Sequence, residues 1–308
     1  MKHYAPLLAA VIAALLLAGC EPSGFGKPPK LVLYELFLNG NPDKPFKENL
    51  LDVWLGNGEG WAVGPAGEDE LQATVLFYDG TDWSIVEGPE GDLSAVLGDG
   101  DGGCIAVGPE GLMVRCDGGE WTRFFNLTYE DLTAVDGTAE DFWVVGVNGA
   151  VLHYADGGWT QTVVEGHNFT DVAATPGGFV AVTTDGSVVF GDDGGAEVYD
   201  LGVGGPLNGI ADTDDGYLVV GDGGVILLGD TDDWTSLDSP TTDLLKDVGA
   251  ASSEHFLAVG ARGTVVLDDG GSLSLLDSPT DEDLTAVEML SLSEGWIVGQ
   301  GGVILHYY

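Results

Sequence analysis

A four-residue pattern recurs seven times along the chain: an apolar residue, two variable residues, then Val or Ile. It closes at Val53, Val96, Val135, Val172, Ile210, Val248 and Val287, with spacings of 43, 39, 37, 38, 38 and 39 residues. So constant a period over most of 308 residues demands a repeat architecture, in which each unit buries its apolar surface against the next. Each unit holds short apolar runs separated by clusters of Gly, Asp and Asn. In the third unit the runs are Leu132 to Val135, Phe142 to Gly146, Ala150 to Tyr154 and Trp159 to Val164. Such runs read as strands and such clusters as turns. Four strands in roughly 40 residues make a propeller blade. The predicted fold is all-β: a seven-bladed β-propeller over residues 31–308, four strands to a blade.

The seventh unit carries only three runs before Tyr308, while the run Leu31 to Leu38 precedes the first unit and belongs to none. Joining these two would close the ring and remove its free strand edges. Blades stack face to face, so both faces of each sheet are buried and strands need not alternate apolar with polar. The innermost strands converge on the axis and have least room. The third position of the recurring pattern is accordingly small in four blades: Ala95, Ala134, Gly209 and Ala286. Asp52, Asp171 and Asp247 break that rule. A carboxylate there is costly to desolvate unless it meets water, a cation or a donor. These three are therefore candidate cation ligands, with calcium the ion they would take; no other cofactor is expected.

The amino terminus reads as an address. Lys2 is followed by an apolar run from Ala5 to Ala18, shorter than the roughly 20 residues of a spanning helix and typical of a signal-peptide core. Leu17, Ala18, Gly19 and Cys20 resemble the bacterial lipobox. That resemblance implies cleavage before Cys20 and acylation of its sulfur (palmitate included) and of its new amine. Residues 1–19 are then a lipoprotein signal peptide and residues 20–30, rich in Pro, Gly and Ser, a flexible tether from Cys20. Glu21 in place of Asp resembles sorting to the outer membrane, with the domain facing either the periplasm or the cell surface. The lipid makes the membrane a partner.

Nine Lys plus Arg oppose 51 Asp plus Glu, for a net charge of −42. Such a surface repels phosphate backbones, which excludes nucleic acid as a partner. The acidity serves solubility in a saline medium or attracts a cationic partner. In a propeller the turns between second and third strands share one face with the links between blades. Acidic residues collect there: Glu87, Glu90 and Asp92; Glu130 and Asp131; Asp281, Glu282 and Asp283; and, from a long turn in blade one, Glu68, Asp69 and Glu70. This is the candidate binding face, for a cation or a basic segment.

Val53 to Gly67, continued by Val75 to Trp83, resembles bacterial export-associated propellers with a repeat of the V-W…W-A-V-G…G-x-I-L-H-Y-D-G-x-x-W type. The repeat is also similar to photosystem II assembly-factor-like and Asp-box propellers, where an Asp-Gly turn precedes a Trp. The matching turns are Tyr78 to Trp83, Cys116 to Trp121 and Ala155 to Trp159. The resemblance covers about residues 48 to 308 and concerns the fold, which hosts many unrelated activities. The leading reading is a monomeric, lipid-anchored, non-enzymatic binding or scaffold module at the bacterial envelope, for an unidentified envelope protein or glycan. The competing reading is a glycan-acting hydrolase or lyase. Asp-box sialidases grip a carboxylate with three arginines, but Arg115, Arg123 and Arg262 fall on the outer half of blade two and in a turn of blade six. No nucleophilic triad or Cys-His metal spacing is present.

Cys104 and Cys116 flank the turn Gly108 to Gly111. Pairing Gly108 with Leu112 sets Cys104 opposite Cys116, close enough across two strands for a disulfide, which export permits; two small buried thiols are the alternative. His153 and His306 occupy equivalent positions in blades three and seven, which argues for packing. Gly98 to Gly103, Asp212 to Gly216 and Gly229 to Trp234 have Asp spacings suggestive of calcium loops but lack the full ligand set, and Asp and Gly serve plain turns as well.

Overall fold

In a computed structural model, which describes residues 29–38, 41–67, 70–231, 233–270 and 272–308, the chain forms seven four-stranded antiparallel sheets. Their innermost strands are Asp52–Gly56, Ala95–Gly98, Leu132–Thr138, Phe169–Thr175, Leu207–Thr213, Leu245–Ser252 and Leu284–Ser291. All seven anchor residues of the repeat lie on these strands. Blade three shows the plan: Leu132–Thr138, Asp141–Gly146, Ala150–Ala155 and Gly158–Val163, each paired with the next. The core has no single centre. Each apolar cluster joins two adjacent blades, as where Trp143, Val145 and Val151 of blade three meet Phe169, Val172 and Val189 of blade four. A strand such as Gly178–Thr183 is buried at every residue, which is why period-two patterning is weak in the sequence.

The ring closes as the sequence predicts. Leu31–Leu33 pairs antiparallel with Ile304–Tyr307, placing Leu31 opposite Tyr307 and Leu33 opposite Leu305, and so becomes the outer strand of blade seven. The strand is shorter than the expected 31–38. Tyr34 still donates its N–H to the Ile304 carbonyl, but the chain then turns inward toward blade one. There the Tyr34 hydroxyl bonds Asp82 and accepts from the Trp83 N–H.

The glycines of the V-G-x-x-G stretch are explained by close approach. A Cβ on Gly146 would lie 2.3 Å from the Asp131 carbonyl oxygen, and one on Gly149 (φ +75°) 2.1 Å from that of Val164. Only a residue without a side chain lets the link to each blade run this close beneath the turn. Among the described residues no helix is long and apolar enough to cross a membrane. The expected signal peptide, Cys20 and most of the expected tether lie outside the described residues, as do Glu68 and Asp69.

Candidate functional site

The channel is lined by the innermost strands and encloses about 360 Å³. The three aspartates predicted at its wall are there, but they do not converge on a common point. Each lies edge-on between two blades. Asp52 accepts the Val53 N–H on one oxygen and, on the other, the Val96 N–H of blade two, both at 2.8 Å. Asp171 joins Val172 to Ile210 of blade five at 2.8 and 2.9 Å. Asp247 joins Val248 to Val287 of blade seven at 2.8 and 2.7 Å. These oxygens are already engaged by backbone donors. Among the described residues no group of three or more His, Cys, Asp or Glu is placed to hold a metal ion. In the structure the expected cation ligands serve as blade-to-blade clamps, and the neighbouring blade's own backbone is a donor that offsets their desolvation.

Desolvation nonetheless dominates their titration. Burial pushes Asp52 up to about 7 and Asp247 up to about 6, against the lowering effect of their backbone donors. Burial and the charge of Asp247 raise Asp171 well above the carboxylate range. Burial, with the charges of Asp247, Asp136 and Asp52, does the same to Glu288.

Two features of this hub were not anticipated from the sequence. Asp136 is a fourth clamp, set one position beyond the anchor residue of blade three, and accepts the Ala174 N–H of blade four at 2.7 Å. The second residue of the repeat pattern also crosses the seam. Thr133, Thr170, Asn208 and Thr285 donate to the carbonyls of Phe169, Leu207, Leu245 and Leu50 on the next blade, at 2.7 to 3.1 Å. Thr285 thereby bonds across the closure. The signal was the repeated Thr or Asn after the leading apolar residue. Lys246 departs from the pattern and pairs with Asp283 at 3.0 Å.

The link face is also partly accounted for by structure. Asp92, Asp131 and Asp283 accept backbone N–H groups of Ala66, Glu110 and Arg262, at the turn of the preceding blade. Three residues of the predicted acidic binding face are thus turn caps. Glu130 accepts from the Asn148 amide and Glu87 from the Gln72 amide. Glu70, Glu90, Asp281 and Glu282 are exposed. The same face carries large apolar side chains over blade two that sequence reading passed over: Phe125 is 93% exposed, Tyr129 82% and Leu71 79%. Close contacts connect the segments that carry Leu71 and Tyr129. The Leu71 carbonyl accepts from Gly91, Gly91 lies against Leu112, and the adjoining Gly111 lies against Thr128 and Tyr129.

Cys104 and Cys116 are directly opposite, in the expected register. The expected disulfide is absent: both are buried free thiols. Cross-strand partners sit at the short end of the Cα range for a disulfide, and here the thiols hydrogen-bond instead. Hydrogen bonding from Cys104 lowers Cys116 to about 7, while burial raises Cys104 well above its ordinary value. Arg115 pairs with Glu140, Arg123 lies on the neighbouring outer strand of blade two, and Arg262 pairs with Asp243 at a turn of blade six. In two of the supposed calcium loops the aspartates cap their own turns: Asp99 accepts from Asp101 and Gly103, and Asp230 from Asp233; in the third, Asp214 and Asp215 accept from the backbone and hydroxyl of Ser253 on blade six. His153 and His306 pack as expected, stacked on Trp143 and Trp296.

No protein-family model matches this chain, and no curated protein does. Solved propellers are similar in fold. YCF48 bound to D1 peptide superposes with a TM-score of 0.70 at 19% identity, covering 93% of this chain and 98% of that one. Streptogramin B lyase gives 0.75 at 13% identity, over 90% and 97% of the two chains. The WD40 propeller domain of Doa1 gives 0.72 at 13%, over 86% and 94%. At these identities the likeness is of fold, and the neighbours include both an enzyme and a peptide-bound propeller.

Proposed function

We propose that this propeller is a non-enzymatic binding or scaffold module, tethered by lipid at Cys20 to the outer membrane of a bacterial envelope, and that its link face receives a basic segment of an envelope protein. The observation that carries the reading is the pairing of Phe125, Tyr129 and Leu71 with exposed carboxylates on one face. Large exposed apolar side chains set among carboxylates mark an interaction surface. The acidic rim favours a cationic partner and speeds its approach. That a similar propeller, YCF48, is known bound to a peptide supports the reading by analogy of fold alone. The competing lyase or hydrolase reading draws the same weight of analogy from streptogramin B lyase.

The test uses the acylated full-length protein and a synthetic peptide with alternating Lys and Leu. Binding should be saturable, weaken with salt, and fall about tenfold or more in Tyr129→Lys. Equal binding by wild type and variant would refute the link face as the site. For placement, Cys20→Ala should abolish labelling by a palmitate analogue, and continued labelling would remove the anchor.

A further inference from the structure

Blade two lacks something the other six blades possess. One cross-strand pair between second and third strands recurs in every blade: Gly60 with Tyr78, Cys104 with Cys116, Phe142 with Tyr154, Phe179 with Gly191, Tyr217 with Gly229, Phe256 with Asp268, and Gly295 with Tyr307. Six of these pairs carry at least one aromatic ring. Blade two carries two thiols. Where the ring would be, a cleft of about 310 Å³ opens between blades one and two. Its walls are Trp61, Phe77, Val86, Glu87, Cys116 and Trp121, with glycines of the adjoining turns. Phe77 and Trp121 stand 4.7 and 6.4 Å from Trp61, centroid to centroid, the second in a T-shaped arrangement. The Trp61 indole N–H is buried and has no partner.

The electrostatics of the cleft have one sign. No Lys, Arg or His lines it, whereas Glu87 does. Glu59 accepts the N–H of Gly102, one of the lining glycines, at 2.9 Å, and the charges of Asp117 and Asp99 are felt at the Cys116 sulfur. Three aromatic rings with carboxylates at the margin and no competing cation are the chemistry that holds an alkylated ammonium: the rings accept its methyl groups and the ring quadrupoles its charge. We propose that the cleft between blades one and two is a binding site for a small organic cation of the quaternary-ammonium class, which fills the space left by the missing ring. This site is separate from the channel and from the Leu71–Tyr129 patch, and it does not depend on the reading given for them.

The experiment titrates reduced, full-length protein with choline and with its neutral isostere 3,3-dimethylbutan-1-ol, following tryptophan fluorescence and heat. Choline should bind at one saturable site, on the order of tenfold more tightly than the isostere. The double variant Cys104→Gly, Cys116→Tyr installs the Gly–Tyr pair used in blades one and seven, and should abolish binding by filling the cleft. Trp121→Leu, on a half-buried outer strand, should weaken it about fivefold or more; this second variant decides the matter if the first does not fold. Absence of choline binding, equal affinity for the isostere, or undiminished binding by Trp121→Leu would each overturn the proposal.

Discussion

The seam between blades seven and one and the seam between blades one and two lie side by side, yet they are filled in opposite ways. The first is the closure, where the outer strand of blade seven comes from a remote part of the sequence. It is packed with Tyr34, Tyr78, Trp83 and Trp296, whose centroids stand 5.3 to 5.7 Å apart in tilted or edge-to-face contacts. In the second, two thiols and a cleft stand where the aromatic cross-strand pair of the other blades would be, beside Trp61, Phe77 and Trp121. Each ring buries a large apolar area and adds a geometric preference to it.

The sharpest test replaces one tryptophan on each seam. Trp296→Ala should destabilise the domain by about 3–5 kcal/mol, the range for emptying a filled core site. Trp121→Ala, half-buried beside an existing cleft, should cost about 1–2 kcal/mol, because less contact is lost there. Thermal unfolding reads both, and equal losses would break the comparison. Deleting residues 31–38 should cost at least as much as Trp296→Ala, since it exposes the Ile304–Tyr307 edge; an unchanged melting temperature would mean that the closure contributes nothing.

The hub offers a second test, of smaller size. Asp171→Ala leaves the N–H groups of Val172 and Ile210 without an acceptor and should cost about 2–3 kcal/mol. Thr285→Val removes a single bond across the closure and should cost about 1 kcal/mol. The sign of the pH dependence is fixed by the raised carboxylates. A folded value above the unfolded one stabilises fully below the unfolded value, near 4, and that contribution is lost as pH rises through the folded value. With Asp52 at about 7 and Asp247 at about 6, the propeller should melt at higher temperature at pH 5 than at pH 8. Asp52→Ala should flatten that slope, and an unaltered slope would show that these groups titrate normally.

The repeat made the ring, the blade number and the closing partners legible, because a fixed period and an unpaired run are one-dimensional facts. The Cys104–Cys116 register was legible for the same reason: a turn of known length fixes cross-strand partners. The clamps were not. The sequence placed Asp52, Asp171 and Asp247 at the channel, but whether a carboxylate there meets an ion or an N–H depends on the offset between neighbouring blades, which no repeat unit encodes by itself. With hindsight their spacing is informative. A Cβ at Gly209 would lie 2.7 Å from the Asp247 Cα, so an aspartate demands a small residue on the blade before it. Seven positions in a ring admit at most three aspartates with no two adjacent. The chain has three, on blades one, four and six. The Phe125–Tyr129 patch was hidden because apolar residues in a link carry no periodic signature.

The smallest effect compares the two equivalent histidines. Each stacks on its cross-strand tryptophan, His153 on Trp143 at 3.8 Å and His306 on Trp296 at 4.2 Å. Their surroundings differ by one carboxylate. Burial alone would lower His153, but Asp141 and Asp193 bond its two ring nitrogens at 2.9 Å each and hold its value above the ordinary one. His306 is lowered by burial, with Glu294 at 3.7 Å too distant to reverse it. The linkage signs are opposite. His153 contributes stability below its unfolded value, near 6.5, and loses it as pH rises through the folded value; His306 contributes above 6.5 and loses it as pH falls. Ring-proton resonances should therefore titrate on either side of 6.5. Asp193→Asn should bring His153 down toward His306 and leave His306 unmoved. Coincident titrations in the wild-type protein would show that the second carboxylate does not set the difference.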